Sequence, residues 1–164
     1  IRTFIQKMSD NQPSENSLSP EGLSFGVVAA RYNEELIESL LQKVSSCLCE
    51  NGQPAELLIE RVPGSHEIPS ALHLMLNART FSCMIGLGVV IKGATSHHHL
   101  VAESAGNAIQ SLVSRHGVPI INGIVVTDDR NSANERINGE LNRGREFAQA
   151  ALEMAHLHDK WTKT

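Results

Sequence analysis

Strand-like and helix-like segments alternate along this chain, and that alternation limits its fold more than any other feature. Apolar runs predict strands over residues 23–30, 56–62, 81–91 and 119–126. A helical pattern follows Asn33, which can cap that first helix. Further helical patterns cover about 68–75, 96–115, 132–138 and 143–158. Strands that alternate with helices predict a parallel sheet covered by helices on both faces.

Polar residues gather where each predicted strand ends, at residues 31–33, 63–67, 92–97 and 127–129. In open α/β sheets, ligands bind beyond the carboxyl ends of the strands. We therefore expect these four segments to meet at one ligand site.

One of these strand ends is the most informative stretch of the chain. The apolar residues 84–91 lead into the small-residue turn Gly93–Ser96, and a helix is predicted to begin at once with His97, His98 and His99. Free N–H groups at a helix N-terminus bind anions, and a nearby histidine can move protons near neutral pH. The turn thus indicates a pocket for phosphate or a similar anion, with acid–base chemistry.

Composition narrows the class of protein. The 164 residues are 41% hydrophobic and 20% charged, which is typical of one globular domain. A net charge of −4 argues against nucleic acid or anionic membrane as a partner. No apolar run approaches the roughly 20 residues of a membrane span, and residues 1–22 lack the apolar core of a signal peptide. Three cysteines without zinc-like spacing favour the reduced thiols of a cytoplasmic protein.

Each candidate residue has an ordinary interpretation beside the functional one. The histidine run could be a solvated helix start, but consecutive helical side chains diverge by about 100°, so a metal site is disfavoured. Glu67 could stabilise a helix N-terminus or accept hydrogen bonds from a polyol or amine. Arg136 could be solvated or could bind phosphate. Tyr32 could pack against the protein or stack on a planar ligand.

The most specific motifs of the chain are Pro-Gly-Ser-His-Glu-Ile-Pro at residues 63–69 and Gly-Ala-Thr-Ser-His at 93–97. With other segments, in a collinear match from about 23 to 156, they closely resemble the 6,7-dimethyl-8-ribityllumazine synthases. The resemblance implies a flavodoxin-like three-layer αβα sandwich with a four-stranded parallel sheet. It also implies condensation of 5-amino-6-(ribitylamino)uracil with 3,4-dihydroxy-2-butanone 4-phosphate, the penultimate step of riboflavin synthesis, without cofactor or metal.

The resemblance also implies the site residues. The catalytic residues are His97, the acid–base group, and Arg136, which contacts phosphate. The aromatic stacking residue is Tyr32, where the family usually has Phe or Trp. The remaining substrate-binding positions are Ser65, His66, Glu67, Val90, Ile91, Lys92, Ala94, Thr95, Asn122 and Arg143. Ala94 and Thr95 are phosphate contacts, and Arg143 stands where a lysine is common.

Two positions depart from the family pattern. His99 replaces an acidic residue that would orient the catalytic imidazole, and Asn122 replaces a Phe that a neighbouring subunit often supplies to the ring site. A weakly active flavin- or lumazine-binding paralogue, or an archaeal-type riboflavin synthase, therefore remains an alternative.

The resemblance implies a homo-pentamer, or a 60-mer shell built of pentamers, with a functional link to riboflavin synthase. Residues 1–22 are predicted to be a partly flexible extension to the domain at 23–164. In the family the N-terminal segment pairs with a neighbour's sheet, and Ile1–Ile5 has the β-rich composition to do so.

Overall fold

The computed structural model describes residues 14–163, which form a four-stranded, all-parallel sheet. The strands are β1 (Ser24–Ala30), β2 (Glu56–Val62), β3 (Cys83–Ile91) and β4 (Ile120–Thr127), in the order β2-β1-β3-β4. The predicted parallel sheet is thus confirmed. The expected strand at Ile1–Ile5 lies outside the described residues.

Helices cover both faces of this sheet. They are α1 (Glu34–Leu48), α2 (Ile68–Ala78), α3 (His97–His116), α4 (Arg130–Asn138) and α5 (Arg143–Thr162), with a short 3-10 helix at Ser65–Glu67 before α2. Helices α1, α4 and α5 contact one another on one face, and α2 and α3 contact each other on the opposite face. This arrangement is the expected αβα sandwich.

The core lies between the sheet and these two helical layers. Strand β3 is central and buried along all but its last residue, as its continuous apolar sequence requires. The largest side chains with almost no solvent exposure come from all three layers: Phe25, Phe81, Ile37, Leu40, Leu48, Ile68, Leu72, Met84, Ile85, Leu87, Ile109 and Ile137.

Two glycines in β3 bring the segment before α2 close to the sheet. A Cβ atom at Gly88 would lie 2.3 Å from Ser65 Oγ, and one at Gly86 would lie 2.7 Å from Ile68 Cγ2. Both separations are far below van der Waals contact. The glycines therefore allow the 3-10 helix to sit directly over the carboxyl half of β3.

The predicted cap of α1 is correct in position but wrong in mechanism. Asn33 occupies the N-cap with φ 60°, and its side chain makes no capping hydrogen bond. Instead Asn33 Nδ2 donates to the carbonyl oxygen of Val89 at 2.9 Å. Asparagine tolerates this left-handed conformation better than most residues, so it can turn the chain and tie the end of β1 to the end of β3.

The first turn of α4 begins earlier than predicted. Asp129 is the N-cap, and its Oδ1 accepts a hydrogen bond from the Ser132 backbone N–H at 2.7 Å. That hydrogen bond holds the pKa of the Asp129 carboxyl below its usual value. Helix α5 also runs further than predicted, to Thr162, because no proline or glycine interrupts it after Gly144.

The part of the N-terminal extension that the structure describes contacts α5. Both carboxylate oxygens of Glu15 accept hydrogen bonds from the Arg145 guanidinium, at 2.6 and 3.0 Å. These bonds lower the pKa of Glu15. Asn16 donates to Glu153, and His156 lies 2.8 Å from the Ser19 carbonyl oxygen. The division into a partly flexible extension and a domain at 23–164 stays a prediction.

The three cysteines, Cys47, Cys49 and Cys83, are free thiols, as expected for an ordinary globular domain. Burial raises the pKa of Cys47 and raises that of Cys83 to about 12, which keeps both as unreactive thiols at neutral pH. Within residues 14–163, no helix combines the length and apolarity needed to span a membrane.

Replacing Gly123 in β4 by alanine is expected to destabilise the fold by about 1–3 kcal/mol, since the core there has no room for a methyl group. The new Cβ would lie 2.7 Å from Leu87 Cδ2 and 2.8 Å from the Gly86 carbonyl oxygen. Gly93→Ala is the matched control, because open space surrounds that position. Urea unfolding of both variants measures the difference, and equal midpoints would contradict the prediction.

Candidate active site

Three of the four predicted strand ends surround one cleft at the carboxyl edge of the sheet. This first cleft has a volume of about 480 Å³ and lies beyond β1, β2 and β3. It brings together eight of the residues predicted from the sequence, namely Tyr32, Ser65, His66, Glu67, Val90, Ile91, Thr95 and His97. The ligand position expected for an open parallel sheet is therefore an actual cavity.

Tyr32 forms one wall of the first cleft with most of its ring free. Its side chain is 72% exposed, so the interpretation as ordinary core packing does not hold. The ring lies against Gly64, where an added Cβ would approach Tyr32 Cδ2 to 3.3 Å. The aromatic face can therefore stack on a planar ligand.

Next to Tyr32, the 3-10 helix and Gly64 before it also line the first cleft. Glu67 Oε2 accepts a hydrogen bond from the Gly64 backbone N–H at 2.8 Å, so one carboxylate oxygen stabilises this turn. His66 Nε2 lies 3.3 Å from Ser104 Oγ on α3, which links the 3-10 helix to that helix. The capping interpretation of Glu67 is correct for one oxygen, and Oε1 is left to bind a ligand.

The three consecutive histidines have different environments. His97 is exposed and lines the first cleft. His98 is only 8% exposed, and its Nδ1 lies 3.0 Å from the Thr95 carbonyl oxygen. His99 is exposed, and its ring centroid lies 3.9 Å from that of His98. The His98 and His99 rings are thus in contact, whereas His97 lines the first cleft, and within residues 14–163 no group of three or more metal-ligating side chains converges.

The fourth strand end, that of β4, forms a second cleft of about 250 Å³ beside the first. It is lined by His98, His99, Val126, Thr127, Asp128, Ser132 and Arg136. Arg136 is exposed, and within the described part of the chain no carboxylate forms a salt bridge with it. Its guanidinium is therefore available to an anionic ligand.

The start of α4 sets the position of Arg136. Thr127 Oγ1 donates to the Asp129 carbonyl oxygen at 2.9 Å, and the Asp129 cap then holds the first turn of the helix. Lys92 is tied to the same region, because its backbone N–H donates to the Thr127 carbonyl oxygen at 2.9 Å. These contacts join the loop after β3 to the loop after β4.

Four predicted site residues line neither cleft. Lys92 and Ala94 lie in the exposed loop between the two clefts, with Lys92 Nζ 4.0 Å from Asp128 Oδ1. Asn122 lies within β4, where its side-chain oxygen accepts from the Ile124 N–H at 3.2 Å. Arg143 begins α5 and pairs with Glu146 at 2.5 Å.

The sequence interpretation also missed residues that the fold brings to the site. Asn33 was predicted to lie at a strand end near the site but had no assigned role there beyond the helix cap, and it lines the first cleft. Asp128 and Ser132 line the second cleft without having been assigned to the site. For Asp128, the one available signal in the sequence was its position at the end of a predicted strand.

Comparison with known proteins agrees with the resemblance in the motifs. The sequence model of the 6,7-dimethyl-8-ribityllumazine synthase family matches residues 22–159. The enzyme of that name from Nitrosomonas europaea is 35% identical over 87% of this chain and 86% of its own length. Those from Azoarcus sp. and Pyrococcus furiosus are each 38% identical, over 87% and 89% of this chain and 90% and 92% of their own lengths. With a match across nearly the whole αβα domain, this chain belongs to the 6,7-dimethyl-8-ribityllumazine synthase family.

Proposed function

We propose that this chain condenses 5-amino-6-(ribitylamino)uracil with 3,4-dihydroxy-2-butanone 4-phosphate to give 6,7-dimethyl-8-ribityllumazine, with loss of phosphate and water. The observation that supports it best is a pair of adjacent clefts that share His98 as a common wall residue. One cleft offers an aromatic face and a carboxylate, and the other offers a guanidinium. Those are the groups that a ribityl-pyrimidine and a phosphate ester respectively require.

In this proposal the pyrimidine occupies the first cleft. Tyr32 stacks on the ring, and Glu67 Oε1 accepts hydrogen bonds from the ribityl hydroxyls or the ring. Ser65 and His66 border the same space. The butanone chain then extends past His98, and its phosphate lies between Arg136 of the second cleft and the turn at Ala94 and Thr95, where Thr95 borders the first cleft.

The proposed catalytic group is His97. Imine formation between the aryl amine and the ketone requires a proton on the departing oxygen, and elimination of phosphate requires removal of a proton from carbon. An imidazole can perform both transfers near neutral pH. Holding the two substrates in neighbouring clefts also removes much of the entropic barrier to their reaction.

The direct test is an assay with both substrates, monitored by the absorbance of the lumazine product. Product formation well above the spontaneous rate is expected. A parallel incubation with lumazine alone separates the alternatives, since a riboflavin synthase would convert it and a binding paralogue would do neither. No feature of the two clefts favours either alternative.

Tyr32→Phe is expected to bind a ribityl-pyrimidine analogue about as tightly as the parent, and Tyr32→Ala more weakly. Stacking requires the ring face, which contributes about 0.5–1.5 kcal/mol beyond area burial, and the hydroxyl is secondary. Calorimetric titration measures both variants. An alanine variant that binds like the parent would show that Tyr32 is not the stacking residue.

We further propose a pentamer in which neighbouring subunits complete each site. Among residues 14–163, β2 is an edge strand with Ile59 42% exposed. Beside it, a groove of about 440 Å³ is lined mainly by apolar residues, including the 68% exposed Leu74, together with Glu60, Arg61 and Arg79. Open edges with apolar surroundings favour pairing with another chain. Asn122 and Arg143, which line neither cleft of their own subunit, would then contribute to a neighbour's site.

Light scattering of the purified protein tests this assembly. A mass of about five times 17.9 kDa is expected for the pentamer, and about sixty times that mass for a closed shell. A species of 17.9 kDa would contradict the shared site.

A further inference from the structure

His98 occupies the wall between the two clefts and is the residue that both have in common. Its neighbour His97 lines only the first cleft, and His99 lines only the second. Unlike either neighbour, His98 is buried, with 8% of its surface exposed. A buried imidazole between two ligand cavities costs free energy unless both of its nitrogen atoms have hydrogen-bond partners in some state of the protein.

The hydrogen bond at Nδ1 defines which nitrogen of His98 carries the proton. The Thr95 carbonyl oxygen, 3.0 Å away, can only accept, so Nδ1 is the donor. In the neutral ring Nε2 is then an unprotonated acceptor. That atom is buried and has no hydrogen-bond partner among residues 14–163, an arrangement that costs stability.

Protonation changes what Nε2 can bind. In the imidazolium form both nitrogens donate, and Nε2–H then requires an acceptor. The titratable or charged groups of the two clefts that His98 borders are His97 and His99 on α3, His66 and Glu67 on the 3-10 helix, Tyr32 after β1, Asp128 after β4 and Arg136 on α4. Lys92 adjoins them through its contact with Asp128. Asp128 is 85% exposed and lies 4.0 Å from Lys92 Nζ, so the unpaired charge in the second cleft is the Arg136 cation.

We propose that His98 is a further phosphate-binding residue, which donates from Nε2–H to the anion held by Arg136 and so makes anion binding dependent on pH. The proposal rests on the assignment of phosphate to the second cleft. Anion binding and protonation of the His98 ring favour each other. The hydrogen bond from Nε2–H to the anion exists only when the ring is protonated and the anion is bound. His98 and Arg136 both line the second cleft, so an anion there lies beside both side chains.

Sulfate is the appropriate probe, since it remains a dianion across the range in which imidazoles titrate, whereas phosphate changes its own charge there. Calorimetric titration of the parent is expected to show sulfate binding about tenfold tighter at about pH 6 than at about pH 8. His98→Phe should lose most of that difference but keep the weaker binding due to Arg136. His156→Phe, a remote surface control on α5, should behave like the parent.

Two further variants protect the test against a folding defect or a wrong histidine. His98→Asn retains a side-chain N–H that can donate to the Thr95 carbonyl oxygen, but it cannot titrate, so it too should lose the pH dependence. His99→Phe should retain it. If His98→Phe and His98→Asn keep the tenfold difference, or if His99→Phe abolishes it, the proposal is wrong.

Arg136→Ala distinguishes failure of this proposal from failure of the proposed function. Loss of sulfate binding in Arg136→Ala, with an unchanged pH response in both His98 variants, would leave the phosphate cleft in place and overturn only the role of His98. Unchanged sulfate binding in Arg136→Ala would instead overturn the assignment of phosphate to this cleft. Nitrogen-15 spectra of labelled histidine add an independent readout. The His98 Nε2 signal is assigned as the one that is absent from the spectrum of His98→Phe. Addition of sulfate should shift that signal to the position of a protonated nitrogen.

Discussion

Replacing His97 by alanine is expected to lower lumazine formation by about 10²–10⁴-fold, the usual contribution of general acid–base catalysis. His97 is an exposed imidazole that lines the first cleft, and it lies next to the turn proposed to bind phosphate. The spontaneous condensation sets a floor below which the measured rate cannot fall. Steady-state turnover at saturating substrate, compared with His156→Ala on α5, provides the measurement.

His98→Ala should reduce the same turnover less than His97→Ala does. The buried ring is proposed to bind the anion, so its loss should raise the KM for the butanone phosphate more than it lowers kcat. Equal losses of kcat in the two variants would argue that the proton transfer does not belong to His97.

Arg136→Ala is expected to weaken use of the butanone phosphate by about tenfold to a hundredfold and to leave pyrimidine binding almost unchanged. A charge-assisted contact to phosphate is worth about 1.5–3 kcal/mol. The guanidinium lies in the second cleft without a salt-bridge partner in the described part of the chain, so its full hydrogen-bonding capacity is available. Substrate kinetics and competition by inorganic phosphate measure the effect.

The matched control is Arg130→Ala, on the same helix. Arg130 is also exposed, but it pairs with Glu35 on α1 at 2.6 Å and does not line the second cleft. Its loss should leave the KM for the butanone phosphate unchanged. If Arg130→Ala and Arg136→Ala raise that KM equally, a general loss of positive charge explains the effect, and Arg136 is not a specific contact.

The structure changes the interpretation of His99, which replaces an acidic residue of the family. A carboxylate at that position was expected to orient the catalytic imidazole. Here the His99 ring lies 3.9 Å from the His98 ring and lines the second cleft. The substitution therefore removes a negative charge from the cleft proposed to hold phosphate, which favours anion binding there.

Local patterns were sufficient for the elements that position the site. The bounds of β2 match the prediction, and those of β3 and β4 differ from it by no more than two residues. A continuous apolar run such as that of β3 has to be buried in almost any fold that the chain could adopt, so its interpretation does not depend on distant residues. The meeting of three of the four strand ends around one cleft followed from the same reasoning, and the end of β4 instead lines a second cleft.

Contacts between distant residues were beyond the reach of those patterns. Asn33 was predicted to cap its own helix, but its side chain donates to Val89, 56 positions away. The 3-10 helix reaches the site because Gly88 leaves room for Ser65, which no local signal marks. Both contacts arise from packing between separate strands and loops, so they exist only after the sheet has formed.

The sequence by itself determined the αβα class, the carboxyl edge of the sheet as the site, and the residue types at that edge, because these follow from short apolar runs and from the turns that end them. Only the tertiary structure decided that the site consists of two clefts and that His97 and Arg136 lie in different ones. It also decided that His98 is the buried residue between them. Three neighbouring histidines are alike as sequence, but a helix directs their side chains about 100° apart, and the elements packed around it decide which one is buried.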